Sequence, residues 1–191
     1  MGTLGKAAES PRATAHTFLN RNRLAFERPI YDARIHLINE DNLVSHTYSA
    51  VYFHCIFSTK ERKDLIPDDL RPKLWAYTEG TAKNLGIMPV AVGGTSNHAH
   101  LLLGIKPNMS IAEAVQRLKA NSSRWMSEHG LSFEWQKGYA ALSVSPSLVG
   151  SVRAYVLNQE EHHRKRSFEE EFLALLRKAG IAHDESRMFA A

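Results

Sequence analysis

The chain has 191 residues, 43% of them hydrophobic and 23% charged, the composition of a folded domain with room for a small appendage. A net charge of +4 and a pI near 9.2 favour an anionic partner, and nucleic acid is the usual one. A single cysteine, Cys55, excludes an internal disulfide and suits a reducing cytoplasm, and no apolar run approaches the roughly 20 residues that span a bilayer, so no membrane partner is expected.

Residues 1–43 mix Ala, Thr, Arg, Asn and Glu without sustained periodicity and read as a flexible leader, with a short helix around residues 14–26. From Tyr48 the pattern changes. Residues 48–57 alternate: Val51, Phe53, Cys55 and Phe57 make one apolar face, and Tyr48, Tyr52 and His54 the other, as in a strand with a core side and an aromatic side. Residues 58–64 form a polar, basic loop containing Lys60 and Arg62. Pro67 opens a helix in which Leu70, Leu74, Tyr77, Thr81 and Leu85 recur at helical spacing until Gly86. Residues 87–92 are a second strand. The turn Gly93-Gly94-Thr95-Ser96-Asn97 then leads into a third, apolar except for His98 and His100. A period of two sends both histidines to one side and Ala99, Leu101 and Leu103 to the other. Two imidazoles side by side on a rigid strand are either a structural pair or a pair of metal ligands, and this spacing alone leaves both open.

Ser110 and Glu113 have the spacing of a capping box, followed by a buried stripe of Ala114, Val115, Leu118, Ser122 and either Trp125 or Met126, with Gly130 as the stop. Lys119 and Arg124 fall off that stripe, on a solvated face or against phosphates. Residues 133–138 read as a short strand and turn, and residues 139–144 as a strand. Ser145-Pro146 opens a helix over about residues 147–163, which places the phenol of Tyr155 and the amide of Gln159 one turn apart. The basic run from His162 to Arg166 suits the negative end of that helix's dipole. Ser167 and Glu170 form a second capping box, and Phe168, Phe172, Leu175 and Leu176 a last amphipathic helix ending at Gly180. The order is strand, helix, hairpin, helix, strand, helix. It predicts an α+β, ferredoxin-like sandwich: an antiparallel sheet with helices on one face and a C-terminal, tyrosine-bearing helix. His98, His100 and His54 would lie on the open face, within reach of that last helix.

Six segments, taken in order, resemble the single-tyrosine HUH transposases of the insertion-sequence-200 type, the superfamily of the REP-associated tyrosine transposases. They are residues 45–48 (SHTY), 57–62 (FSTKER), 97–102 (NHAHLL), 119–123 (KANSS), 135–139 (WQKGY) and 155–159 (YVLNQ). The middle residue of the histidine motif is Ala99 rather than a bulky hydrophobe, but it faces away from the imidazoles. The resemblance implies that His98, His100 and Gln159 bind a divalent ion, Mg²⁺ or Mn²⁺, and that Tyr155 is the nucleophile. It further implies a substrate of single-stranded DNA with hairpins at element ends, cut and rejoined through a 5′-phosphotyrosine without a nucleotide cofactor. DNA contacts are expected from Tyr52, His54, Lys60, Arg62, Lys119, Arg124 and Arg164, because single strands are held by basic grooves and aromatic stacking. The resemblance also implies a homodimer that exchanges the tyrosine helix. A transposase domain over residues 44–184 and a tail over 185–191 follow from the segments. Val44 stands where such proteins begin with Met, so residues 1–43 are expected to be dispensable, with translation starting at Val44. The alternatives are a binding-only hairpin protein of the same fold, and an HUH replication or conjugation nickase; the latter usually carries accessory domains for which this chain has no room.

Overall fold

The computed structural model describes residues 1–2 and 48–188. The chain divides into two compact units, Met1–Ile38 and Asn39–Ala191, and every element below belongs to the second. The leader and the start at Val44 lie outside the described residues.

Strand β1 (Tyr52–Ser58) forms the centre of a four-stranded antiparallel sheet, between β3 (His98–Gly104) and β4 (Ala140–Val144), with β2 (Met88–Gly94) outside β3. The order β2-β3-β1-β4 is the split βαβ arrangement that the succession of elements implies. The alternation holds. Cys55 and Phe57 of β1 share one face with Ala99, Leu101 and Leu103 of β3, covered by helices α1 (Arg71–Asn84) and α2 (Ile111–Glu128). Within α1 the buried side chains are Leu74, Thr78 and Ala82 rather than Tyr77 and Thr81. Thr78 is tolerated there because its hydroxyl donates to the Leu74 carbonyl oxygen at 2.8 Å, and Tyr77 stacks on Trp125 instead. The buried stripe of α2 is as read, ending in Met126. Its capping box is half-formed: the Ser110 hydroxyl accepts from the Glu113 amide, while the Glu113 carboxylate pairs with Arg117 at 2.7 Å. Residues 133–138 contribute no strand beyond one bridge between Thr59 and Trp135.

The helix expected over residues 147–163 is interrupted. A 3₁₀ turn (Pro146–Leu148) leads into α3 (Val149–Leu157). Asn158 then leaves helical geometry with φ −106° and ψ 24°, and α4 (Gln159–His163) begins anew. Helix α5 (Phe168–Lys178) opens on the reciprocal Ser167–Glu170 box, and α6 (Glu185–Met188) follows. These C-terminal helices close the histidine face of the sheet, which the sequence pattern leaves open. Val149 and Val156 pack with Tyr52 and Leu102, and Phe168 and Leu176 pack with Ile56 and Ala140, so apolar side chains seal both flanks of the histidines. Gly93 allows the closest approach: a Cβ there would overlap the Val156 carbonyl.

Candidate metal and tyrosine site

The sheet register determines which histidines meet. His54 lies opposite Leu102 on β3, and Ile56 opposite His100, so His54 and His100 are diagonal neighbours on one face. Their rings touch, with His54 Nε2 at 2.9 Å from His100 Nδ1. His98 turns Nδ1 toward Asn97 Oδ1 (2.8 Å) and Thr95 Oγ1 (2.9 Å), both supplied by the glycine turn, and its Nε2 toward Gln159 Oε1 (3.4 Å). The break at Asn158 delivers Gln159, which is buried, from above the sheet. The sequence-predicted trio His98, His100 and Gln159 is thus brought together, and Tyr155 with it: the Tyr155 ring lies edge-on to His100 and to His54. All of this occurs within one chain.

Two further residues join that sequence reasoning did not single out. Glu171 of α5 is 2% exposed and sits at the centre of the site. Its Oε1 accepts from the Tyr155 hydroxyl and, at 3.2 Å, from the Gln159 amide; its Oε2 lies 2.9 Å from His163 Nε2 and 3.4 Å from His100 Nε2. His163, at the end of α4, bonds through Nδ1 to the Arg166 carbonyl oxygen at 2.9 Å and places Nε2 3.1 Å from Gln159 Oε1. One ligand atom each from His98, His100, His163 and Glu171 lies within 4.8 Å of all the others. These residues fit a metal ion: the donors are imidazole nitrogens and a carboxylate, and His100 Nε2 is buried there without a hydrogen-bond partner.

Glu171 passed unnoticed because Glu169, Glu170 and Glu171 form a run in the first turn of α5, where acids suit the helix dipole. A signal was present: Glu171 falls on the inward stripe, three residues after Phe168 and four before Leu175. His163 was absorbed into the basic helix end.

Burial depresses all three strand histidines. His54 falls to about 3, helped by the neighbouring His100, and His98 falls well below its usual value. His100 is also lowered, although Glu171 pulls the other way. For Glu171, burial alone would raise the carboxyl, but the neighbouring His100 and His163 rings outweigh it and hold the group well below the carboxylate range. Burial and the bond to Glu171 push the Tyr155 phenol above its usual range.

The residues expected to meet DNA separate into two groups. Tyr52 and His54 are buried, the first against Leu102 and Val149 and the second against His100, so neither ring is presented for stacking. The five cations are each engaged within the chain. Lys60 pairs with Glu134 (2.5 Å), Arg62 with Glu169 (2.9 Å) and Arg164 with Glu161 (3.1 Å), and Arg124 donates to Asn121 (2.7 Å). Half-buried Lys119 donates to the carbonyls of Gln136 (2.6 Å) and Gly138 (2.8 Å) and lies over the Phe57 ring. It braces the loop before β4.

The chain is similar to known proteins. A candidate transposase from Deinococcus radiodurans R1 has a crystal structure that aligns with 60% of this chain and 95% of its own, at 26% identity and a TM-score of 0.50. A REP-associated tyrosine transposase bound to a REP hairpin aligns with 59% of this chain and 66% of its own, at 11% identity and a TM-score of 0.44. None of the curated proteins compared with the chain matches it. No helix among the described residues is long and apolar enough to cross a membrane. The model of the family described as "Transposase IS200 like" matches residues 47–159, a segment that holds His98, His100, Tyr155 and Gln159 and stops short of His163 and Glu171. The chain belongs to the IS200-like transposase family.

Proposed function

We propose that this transposase cuts and rejoins single-stranded DNA bearing hairpins at element ends, with Tyr155 as nucleophile. The observation that carries the reading is the Tyr155 hydroxyl, hydrogen-bonded inside a cluster of buried imidazoles, an amide and a carboxylate of its own chain. His98, His100 and Gln159 would hold the divalent ion, Mg²⁺ or Mn²⁺. When bound, it supplies positive charge against the scissile phosphate and the developing phenolate.

Tyr155 Oη attacks phosphorus and the bond to the 3′-oxygen breaks, leaving a free 3′-hydroxyl and a 5′-phosphotyrosine. Glu171 orients the phenol through its hydrogen bond, the Tyr155 hydroxyl gives up its proton as the Oη–P bond forms, and the departing 3′-oxygen takes up a proton, so the step is proton-neutral overall. Gln159, bonded through its amide to the Tyr155 carbonyl and to Glu171, ties the tyrosine's backbone to the cluster. The phosphotyrosine keeps the energy of the cleaved bond, so attack by a second 3′-hydroxyl rejoins strands with no nucleotide consumed. The elevated phenol agrees with this division of labour: the nucleophile stays protonated until positive charge stands beside it.

The test is incubation of the full chain with a labelled hairpin oligonucleotide and Mn²⁺ or Mg²⁺. A covalent protein–DNA band is expected for the wild type and none for Tyr155→Phe, with hairpin binding retained. A band that persists in Tyr155→Phe would assign the chemistry to another residue. Binding without a band under either ion would leave a hairpin-binding protein in its place.

A further inference from the structure

His163 and Glu171 lie beyond the family-matched segment, yet the site closes on them. Three rings turn Nδ1 outward: His98 to Asn97 and Thr95, His100 to His54, and His163 to the Arg166 carbonyl. A carbonyl oxygen only accepts, so His163 Nδ1 donates to it, and in the neutral ring Nε2 then faces inward as a lone pair. The same tautomer at His98 donates to the Asn97 oxygen, and at His100 it donates to His54. What these inward nitrogens meet are oxygens. Gln159 Oε1 stands before His98 and His163, and Glu171 Oε2 before His163 and His100. Lone pairs turned on one another in a buried space are costly, and a cation among them satisfies all of them together.

We propose that Glu171 and His163 complete, with His98 and His100, a three-imidazole, one-carboxylate site that takes a transition-metal dication such as Mn²⁺ in preference to Mg²⁺. Glu171 there joins the ion to the nucleophile. The inference rests on the reading of His98 and His100 as metal ligands. Mg²⁺ loses its water reluctantly and demands a near-ideal octahedral shell, whereas three imidazoles suit transition dications, of which Mn²⁺ is the weakest binder, so a preference for Mn²⁺ over Mg²⁺ is the least demanding case. The two Glu171 oxygens are already divided between the tasks. Oε2 faces the imidazoles, and Oε1 holds the Tyr155 hydroxyl and the Gln159 amide. A ligand placed this way fixes the phenol relative to the ion, which a strand histidine does not do. The C-terminal segment is therefore part of the metal site.

Isothermal titration of the full chain with MnCl₂ or MgCl₂ alone, without DNA, tests this. The wild type is expected to bind Mn²⁺ at least tenfold more tightly than Mg²⁺. Glu171→Gln and His163→Ala should each weaken Mn²⁺ by no less than the roughly 10- to 100-fold that loss of an outer-shell partner costs, while thermal unfolding shows that they still fold. Pulsed electron paramagnetic resonance of wild type loaded with Mn²⁺ needs no variant: three coupled imidazole nitrogens support the proposal, and two exclude His163. Wild-type affinity in both variants, beside lost binding in His98→Ala, would overturn the proposal and keep the two-histidine site. Equal affinity for the two ions would overturn the preference, and no binding of either ion by the wild type would overturn both readings.

Discussion

His54 is a histidine kept neutral: burial and the adjacent His100 bring it from an ordinary 6.5 to about 3. Its folded value lies below its unfolded one, so the associated stability is complete above about pH 6.5 and is lost as pH falls toward 3. Glu171 acts in the same sense at lower pH, because its folded carboxyl is also depressed. The metal-free protein should therefore melt at a lower temperature at about pH 5 than at about pH 7.5. Equal melting temperatures by differential scanning fluorimetry would show that His54 is solvated. Much of the site was legible residue by residue, since a period of two placed His98, His100 and His54 together before any coordinates. Tyr52 was misread for the same reason that His54 was placed correctly. Alternation gives the face a side chain occupies, but whether that face is wet depends on what packs over it, and Val149 and Val156 come from residues about a hundred positions away.

At the level of elements, α3 approaches the sheet most closely at one contact. Gly93 receives the Val156 carbonyl at a distance no Cβ allows, and Val156 directly follows the tyrosine and precedes Gln159 by three residues. Gly93→Ala should lift α3 from the sheet, lower stability by about 1–3 kcal/mol and reduce adduct formation more than hairpin binding. Gly150, inside α3, meets only open space, so Gly150→Ala should be neutral or stabilising by roughly 0.5–1 kcal/mol. Urea unfolding with an adduct assay separates the two, and identical behaviour of both variants would remove the special role of the Gly93 contact. The break at Asn158 was not legible, because residues 147–163 contain no internal proline and their apolar spacing suits one continuous helix.

Across the whole domain, strand order, the α1–α2 layer and the capping of α5 followed from the sequence of patterns, since hairpins and crossovers leave few topologies open. How the tyrosine would reach the histidines did not follow, because the same helix docks equally well on its own sheet or on a partner's. Here Tyr155 sits beside His54 and His100 of its own chain, held by Glu171. We expect sites built within each chain even in a homodimer. A mixture of Tyr155→Phe with the double variant His98→Ala, His100→Ala should then restore no cleavage. Recovery of the covalent adduct in a verified heterodimer would show that the helix is exchanged.

The pairing of Tyr52 with Val144 closes a long loop between β1 and β4, whereas β2 and β3 meet across a short turn. Contacts distant in sequence form late, so the hairpin that carries both histidines can assemble early, and α3, α4 and α5 dock only on a finished sheet. The order of events in folding thus separates the histidines from the phenol in time. A chain still folding, or one whose C-terminal helices have opened by local unfolding, exposes imidazoles with no phenol held beside them. On the proposed reading cutting waits for the complete fold, and the amides of α3 to α5 should exchange with solvent sooner than those of β1 and β3.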